Sequence, residues 1–194
     1  MPAEKMDKRV RRTQEALRSA LLELIVERSY EKLSVQHILD RASVGRATFY
    51  LHYRSKEDLL RRSLDQLREH LIQECQSASK SKAPSKSPLG FSLAFFRHVD
   101  SHRRLYRAIV GRESGAIVDR QMRRLLADLV KEVVPTGQRE RSGIKAEMVA
   151  QYVAGALMSI VTWWLDRNIK LSSAEIDSAF LQMTVPALQA SGHL

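Results

Sequence analysis

Arg46, Thr48, Tyr50 and Lys56 bring a guanidinium, a hydroxyl, a phenol and an ammonium together within one short stretch of the chain. Each of these groups has an established use on nucleic acid. An arginine can donate two hydrogen bonds to guanine O6 and N7, worth about 1–3 kcal/mol of discrimination. Threonine can reach a base or a phosphate, while a phenol and an ammonium suit phosphates, which position a protein without reading sequence. Phe49 and Tyr53 are four apart and fall on one buried stripe of a helix. That leaves Arg46, Ala47, Thr48, Tyr50 and Leu51 to face outward. The competing reading of the same spacing is an ordinary solvated face.

The flanking segments supply what such a helix needs. Ala16, Leu17, Ala20, Leu21, Leu24 and Ile25 recur at intervals of three and four, which predicts an amphipathic helix from about Lys8 to Ser29. Val35, Ile38, Leu39 and Ala42 repeat the pattern over a short helix with Ser34 as its N-cap, and the next helix starts near Gly45. Two short helices joined this tightly form a helix-turn-helix, whose second helix lies in the major groove. Ser55 and Asp58 then read as a capping box with Lys56 at the first helical position. The helix they open carries Leu59, Leu60, Leu64, Leu67 and Leu71 and runs to about Ser77.

At 194 residues and 44% apolar content the chain can bury a substantial core. Its formal charge of +10 favours polyanionic partners. The basicity is spread out, with 15 Lys and Arg against 11 Asp and Glu in residues 1–70 and 17 against 11 beyond them, so charge alone does not locate a binding face. Cys75 is the single thiol, which excludes an intrachain disulfide and reads as a helix-packing residue. The N-terminal MPAEKMDKRVRR lacks the apolar core of a signal peptide, and no run approaches the roughly 18–20 apolar residues of a membrane span. These features predict a cytoplasmic protein with no membrane partner.

At Ala42-Ser43-Val44 and at Thr48-Phe49-Tyr50, through His52-Tyr53 to Ser55-Lys56-Glu57-Asp58-Leu59, the chain resembles the DNA-binding domain of TetR-family transcriptional regulators. The resemblance spans about Arg11 to Leu67. It implies that Thr48, Tyr50, His52 and Lys56 contact the DNA backbone, that Arg46 and Ala47 enter the groove, and that the helix from Lys56 is a lever joining the head to a helical regulatory body. With Ser34 and Leu51, these residues form the expected DNA-facing set. Ser43 stands where the family usually has Gly, Gly45 where it has Ser or Thr, and Ala47 where Gly is frequent. A left-handed Ser43 would cost about 1 kcal/mol, whereas Gly for Ser at an N-cap costs only a few tenths.

Residues 77–88, SASKSKAPSKSP, have no apolar period and read as a loop. Further helices are expected at about Leu89–His102, Arg103–Val110, Gly115–Val134, Lys145–Asn168 and Ser173–Gln189, with a loop around Pro135–Gly143 and a capping box at Ser172 and Glu175. Pro186 should kink the last helix or close it down. The wide apolar stripe of the helix holding Tyr152, Ala156, Ile160 and Trp164 suits burial on more than one side. In the family the last two long helices pair with their symmetry mates in a four-helix dimer interface, which adds Phe180 and Met183 from the final helix. The other reading of this stripe is an intramolecular core.

Phe95, Phe96, Tyr106, Met122, Leu126 and Trp163 are candidates to line an effector pocket, against the simpler reading of plain core. The arginines from Arg103 to Arg124 could attract an acidic ligand or form a solvated basic face. His98 and His102 are an i, i+4 pair that could chelate a metal but read as surface histidines. No cofactor is expected. HExxH, GxSxG, GxGxxG, P-loop and CxxC patterns are missing from the sequence, which argues against an enzyme.

The sequence therefore predicts an all-α chain of about nine helices. A three-helix helix-turn-helix domain at 8–55 is followed by a connecting helix at 56–77 and a helical ligand-binding and dimerisation domain at 78–194. The expected function is a ligand-responsive homodimeric repressor on a palindromic operator in double-stranded DNA, with an unidentified small-molecule effector. The alternative is an activator or interaction module whose C-terminal domain docks a protein.

Overall fold

In a computed structural model, which describes residues 2–28, 30–80, 89–110, 116–133, 144–167 and 169–192, the helical periodicities of the sequence become nine α-helices with no strand among the described residues. They are α1 (Pro2–Glu27), α2 (Val35–Ala42), α3 (Arg46–His52), α4 (Lys56–Lys80), α5 (Phe91–Ser101), α6 (Arg103–Ile109), α7 (Ala116–Val133), α8 (Ala146–Asp166) and α9 (Ser173–Ala190). A 3-10 turn at Tyr30–Lys32 separates α1 from α2. Helix α1 starts six residues before the expected Lys8. Helix α4 runs to Lys80, past the expected end at Ser77, so the first four residues of the loop expected at 77–88 are helical. Residues 81–88, the loop expected around 135–143, Arg112 and the side chain of Cys75 lie outside the described residues.

The head is held by α1, α2, α3 and the start of α4 around Leu17, Leu21, Ile38, Phe49 and Leu59, all fully buried. Ile109 of α6 and Val118 of α7 complete the same cluster, so the head does not close its core without the body. Arg41 crosses from α2 to α1, pairing with Glu27 at 2.6 Å and Glu23 at 3.1 Å. Its fork grips Glu27 through both guanidinium nitrogens. On an exposed surface such a pair contributes at most about 1 kcal/mol.

The body forms a second core in which α5, α7, α8 and α9 meet around Phe95, Phe96, Leu126, Leu157, Trp164 and Phe180. Leu64 of α4 packs against both cores, which makes α4 the shared element. Helix α8 is long and apolar enough to cross a membrane by length and composition, contrary to expectation, with a mean hydropathy of 1.4. Half of that segment is buried inside the protein, and a helix packed on several sides reads the same way. Helix α9 runs through Pro186 to Ala190. Leu188, buried beyond the proline, keeps the last turn on the core, so Pro186 does not close the helix down.

Candidate nucleic-acid interface and the cavity behind it

Each turn around α2 and α3 has a local cause. Ser34 Oγ accepts from His37 N at 3.3 Å, and His37 Nδ1 accepts from Ser34 N at 3.3 Å, a capping box with histidine in the usual Glu position. Helix α2 ends at Ser43, whose φ of 52° and ψ of 42° lie in the left-handed region. The Ser43 and Val44 amides there close on the carbonyls of Asp40 and Leu39. Gly45 caps α3 in extended geometry without a side-chain bond. Ser55 Oγ accepts from Asp58 N at 3.2 Å, but the Asp58 carboxylate accepts from Arg54 N rather than Ser55 N. Half of the expected box is present. The Arg54 amide, with Arg61 and Arg62 beside it, holds the Asp58 carboxyl below the usual carboxylate range.

Phe49 and Tyr53 are buried, and their burial turns the other face of α3 to solvent. Arg46, Ala47 and Tyr50 are exposed, Leu51 is 81% exposed, and Thr48 and His52 are half-buried. Arg46 Nη2 donates to Gln36 Oε1 at 3.0 Å, and Gln36 Nε2 donates to Asp40 Oδ1 at 2.7 Å. This chain of bonds runs along α2 and orients the guanidinium over the start of α3. Nothing in the sequence pattern marks Gln36 for that role.

The Lys56 ammonium is turned onto the 3-10 turn that precedes α2. It donates to the carbonyls of Leu33 at 2.7 Å and Tyr30 at 3.0 Å, and lies 4.6 Å from the centre of the Tyr30 ring. The ammonium expected at a DNA phosphate thus also braces the turn before α2, because a four-carbon stem can reach back where spacing shows only a surface position.

Of the expected pocket residues, Tyr106 and Met122 line a cavity of about 380 Å³ at the junction of head and body. Phe95, Phe96 and Leu126 are fully buried core. Trp163 is 44% exposed on the outer side of α8. The cavity takes its walls from α1, α4, α5, α6 and α7, with Leu22, Leu60, Leu64, Leu105, Val118 and Met122 in its apolar lining. Arg18, His70, His98 and His102 add four basic side chains to the lining, and the lining contains no carboxylate. His98 is not the surface residue expected. Its ring stacks on His102 at 4.2 Å, lies 6.3 Å from His70 and meets Tyr106 edge-on at 5.9 Å. Burial, with His102, His70 and Arg18 nearby, pushes the His98 imidazole down to about 4.

The expected dimer set divides. Trp164 and Phe180 are fully buried, Ala156 and Ile160 pack partly against the body core, and Tyr152 and Met183 are exposed. Trp164 Nε1 donates to Leu171 O at 3.0 Å, fixing that ring inside. Met148, Tyr152 and Trp163 follow one face of α8, and Met183 lies on α9. Adjacent tryptophans point about 100° apart on a helix, so the outward aromatic is Trp163 and not Trp164.

Residues 17–62 match the bacterial regulatory proteins of the tetR family, and residues 86–185 match a transcriptional regulator C-terminal region. An uncharacterised HTH-type transcriptional regulator of Bacillus subtilis, YxbF, is 26% identical over 180 residues, which cover 91% of this chain. The chain spans about half of that relative, 46% of its length. The fatty acid metabolism regulator protein of the same organism is 22% identical, over 87% of this chain and 92% of its own. Among solved structures, NalD of Pseudomonas aeruginosa, the secondary repressor of the MexAB-OprM multidrug efflux pump, superposes with a TM-score of 0.62 at 16% identity. That superposition covers 91% of this chain and 96% of NalD.

Proposed function

Because the chain belongs to the tetR family of bacterial regulatory proteins, we propose that this transcriptional regulator is a ligand-responsive repressor acting as a homodimer on a palindromic operator. The observation that carries the reading is the exposed face of α3. Arg46, Ala47, Tyr50 and Leu51 stand out from a helix anchored by Phe49 and Tyr53. Arg46 is suited to guanine, Leu51 to a thymine methyl, and Tyr50 and Thr48 to phosphate. His52 and Ser34 border this face and are assigned to the same backbone contacts. Repression is the role of NalD, which has a similar fold.

Dimerisation is supported by exposed apolar side chains on the last two helices. Tyr152 is 52% and Met183 59% exposed, and a second copy would remove them from water. Two α3 helices would then reach successive major grooves about 34 Å apart. The effector is assigned to the junction cavity, whose walls belong to both the head and the body. A ligand favouring the DNA-incompetent arrangement by several kcal/mol would release the operator, whereas equal affinity for both would shift nothing. The proposed location is the cytoplasm, where the operator is.

Selection of random duplexes by the full chain, followed by salt titration of the winning sequence, tests the reading. The expected result is a palindrome with half-sites one helical turn apart and a steep loss of affinity with salt. Weak binding indifferent to sequence would overturn it.

A further inference from the structure

Resting on the proposed effector role of the junction cavity, we propose that its ligand is a small apolar monocarboxylate, with the carboxylate seated between Tyr106, Arg18 and His98. The geometry carries this in three steps. The Tyr106 hydroxyl is fully buried, lines the cavity and has no hydrogen-bond partner. A buried hydroxyl left unpaired is destabilising, and an acceptor supplied by a ligand would relieve it. Arg18 Nε, on the α1 wall of the same cavity, is likewise buried without a partner. Both unsatisfied atoms are donors, and both need an acceptor.

The second step is charge. Arg18, His70, His98 and His102 line the cavity while no Asp or Glu does. Arg18 Nη2 pairs with Glu15 outside the lining at 2.8 Å, which leaves its Nε for the cavity, and the acceptor that this basic lining favours is an anion. The remaining walls are largely leucine, isoleucine, valine and methionine, which call for an apolar body behind a single charged end. At about 380 Å³ the cavity is near the lower end of the range for small-molecule sites. A multiply charged phosphate would need more permanent cations than the one guanidinium in this lining.

The third step is coupling. Arg18, Leu22 and Ile25 belong to α1 of the head, while Tyr106 and Ile109 belong to α6 of the body. A carboxylate bridging Arg18 and Tyr106 ties α1 to α6 and resets the angle of the head. His98 reports the event. With its imidazole depressed to about 4 by burial, His102, His70 and Arg18, it is neutral near pH 7. A carboxylate beside it favours the imidazolium. The groups facing this site are Arg18 from α1, His70 from α4, His102 after α5 and Tyr106 from α6, while α7 presents Val118 and Met122. Binding therefore takes up as much as one proton and tightens as pH falls from 8 to 6.

The test is calorimetry on the full-length protein with octanoate against octanamide and 2-naphthoate against 2-naphthamide, in buffers of different ionisation enthalpy. At least one acid should bind tenfold or more tightly than its amide, with proton uptake. Tyr106→Phe, which removes one oxygen and keeps the ring, should erase most of that preference. His98→Gln should abolish the proton uptake. Equal binding of acid and amide, binding of neither acid, or a preference untouched in both variants would overturn the proposal. Operator binding by the same preparation without any probe separates the two readings. If the palindrome is bound and the acids are ignored, the ligand assignment alone falls, whereas absent operator binding removes the repressor reading itself.

Discussion

Lys56 Nζ donates to the Leu33 carbonyl at 2.7 Å, joining the first turn of α4 to the residue that precedes the Ser34 cap of α2. The Tyr30 carbonyl accepts a second bond from the same ammonium, and the Tyr30 ring lies beneath it. The Glu31 carbonyl is a third, longer acceptor at 3.5 Å, so the ammonium is committed to backbone carbonyls inside the protein. Helix α4 also packs on the body through Leu67 and Leu71, so this clamp joins an element shared with the body to the start of the helix-turn-helix.

Lys56→Met keeps the stem and removes the donor. Charge-assisted hydrogen bonds contribute about 1.5–3 kcal/mol, so the melting temperature should fall measurably and operator affinity should drop with it. Removing a lysine that touches phosphate flattens the salt dependence of DNA binding by about one unit. A clamp predicts a slope unchanged from that of the native protein. A slope reduced by a full unit in a salt titration would restore Lys56 to the DNA backbone.

Arg46→Ala should relax base preference at one position of each half-site, at a cost of about 1–3 kcal/mol of discrimination. Gln36→Leu should do part of the same without touching DNA, because Gln36 Oε1 holds the Arg46 guanidinium at 3.0 Å. Binding measured across single-base operator variants should show the two substitutions acting at the same base pair. Effects at different base pairs would separate Gln36 from the aim of Arg46.

The head is legible in the sequence because its signals are local. Ser34, the Phe49 and Tyr53 spacing and the Ser55 cap each act within four residues, and periodicity reports that range directly. The direction of Lys56 is not legible, because its partners lie 23 and 26 residues away. The cavity is hidden for the same reason, since Arg18, His70 and Tyr106 meet only after α1, α4 and α6 have packed. In α8 the apolar residues surround the helix so widely that no phase can be read from them. Which of Trp163 and Trp164 faces the core is decided by Phe96, which packs edge-on against Trp164 and is itself backed by Phe180.

His98 sets a pH dependence of stability. Its folded value near 4 lies below the ordinary 6.5, so between these values the unfolded chain binds a proton that the folded chain refuses. Stability is then greatest above about pH 6.5 and declines as pH falls toward 4, by at most about 3 kcal/mol from this group. His98→Gln should flatten that part of the profile in denaturant melts at stepped pH. An unchanged slope would mean that His98 is protonated in the folded protein.

Ser43 occupies the left-handed region at φ 52°. A residue with a Cβ is disfavoured there by about 1–2 kcal/mol, and Gly is not. Ser43→Gly should raise stability by about 1 kcal/mol, or about 2–4 °C in melting temperature for a chain of this size. A fall in melting temperature would show that the Ser43 side chain contributes more than its backbone geometry costs.

Trp163 and Trp164 should fail in opposite ways when shortened. Trp164 is fully buried, with Phe96 edge-on and the Arg103 guanidinium 4.6 Å from its ring centre. Trp164→Ala should therefore cost about 3–5 kcal/mol and lower the melting temperature of whatever oligomer is present. Trp163 is 44% exposed and meets solvent beside the Tyr152 face of α8. Trp163→Ser, combined with Met183→Glu, should leave the helical content intact while converting dimer to monomer in sedimentation equilibrium. The same double variant should lose affinity for a full palindrome and keep its weak affinity for a half-site. A dimer that survives both changes would place the pairing surface elsewhere than on the exposed faces of α8 and α9.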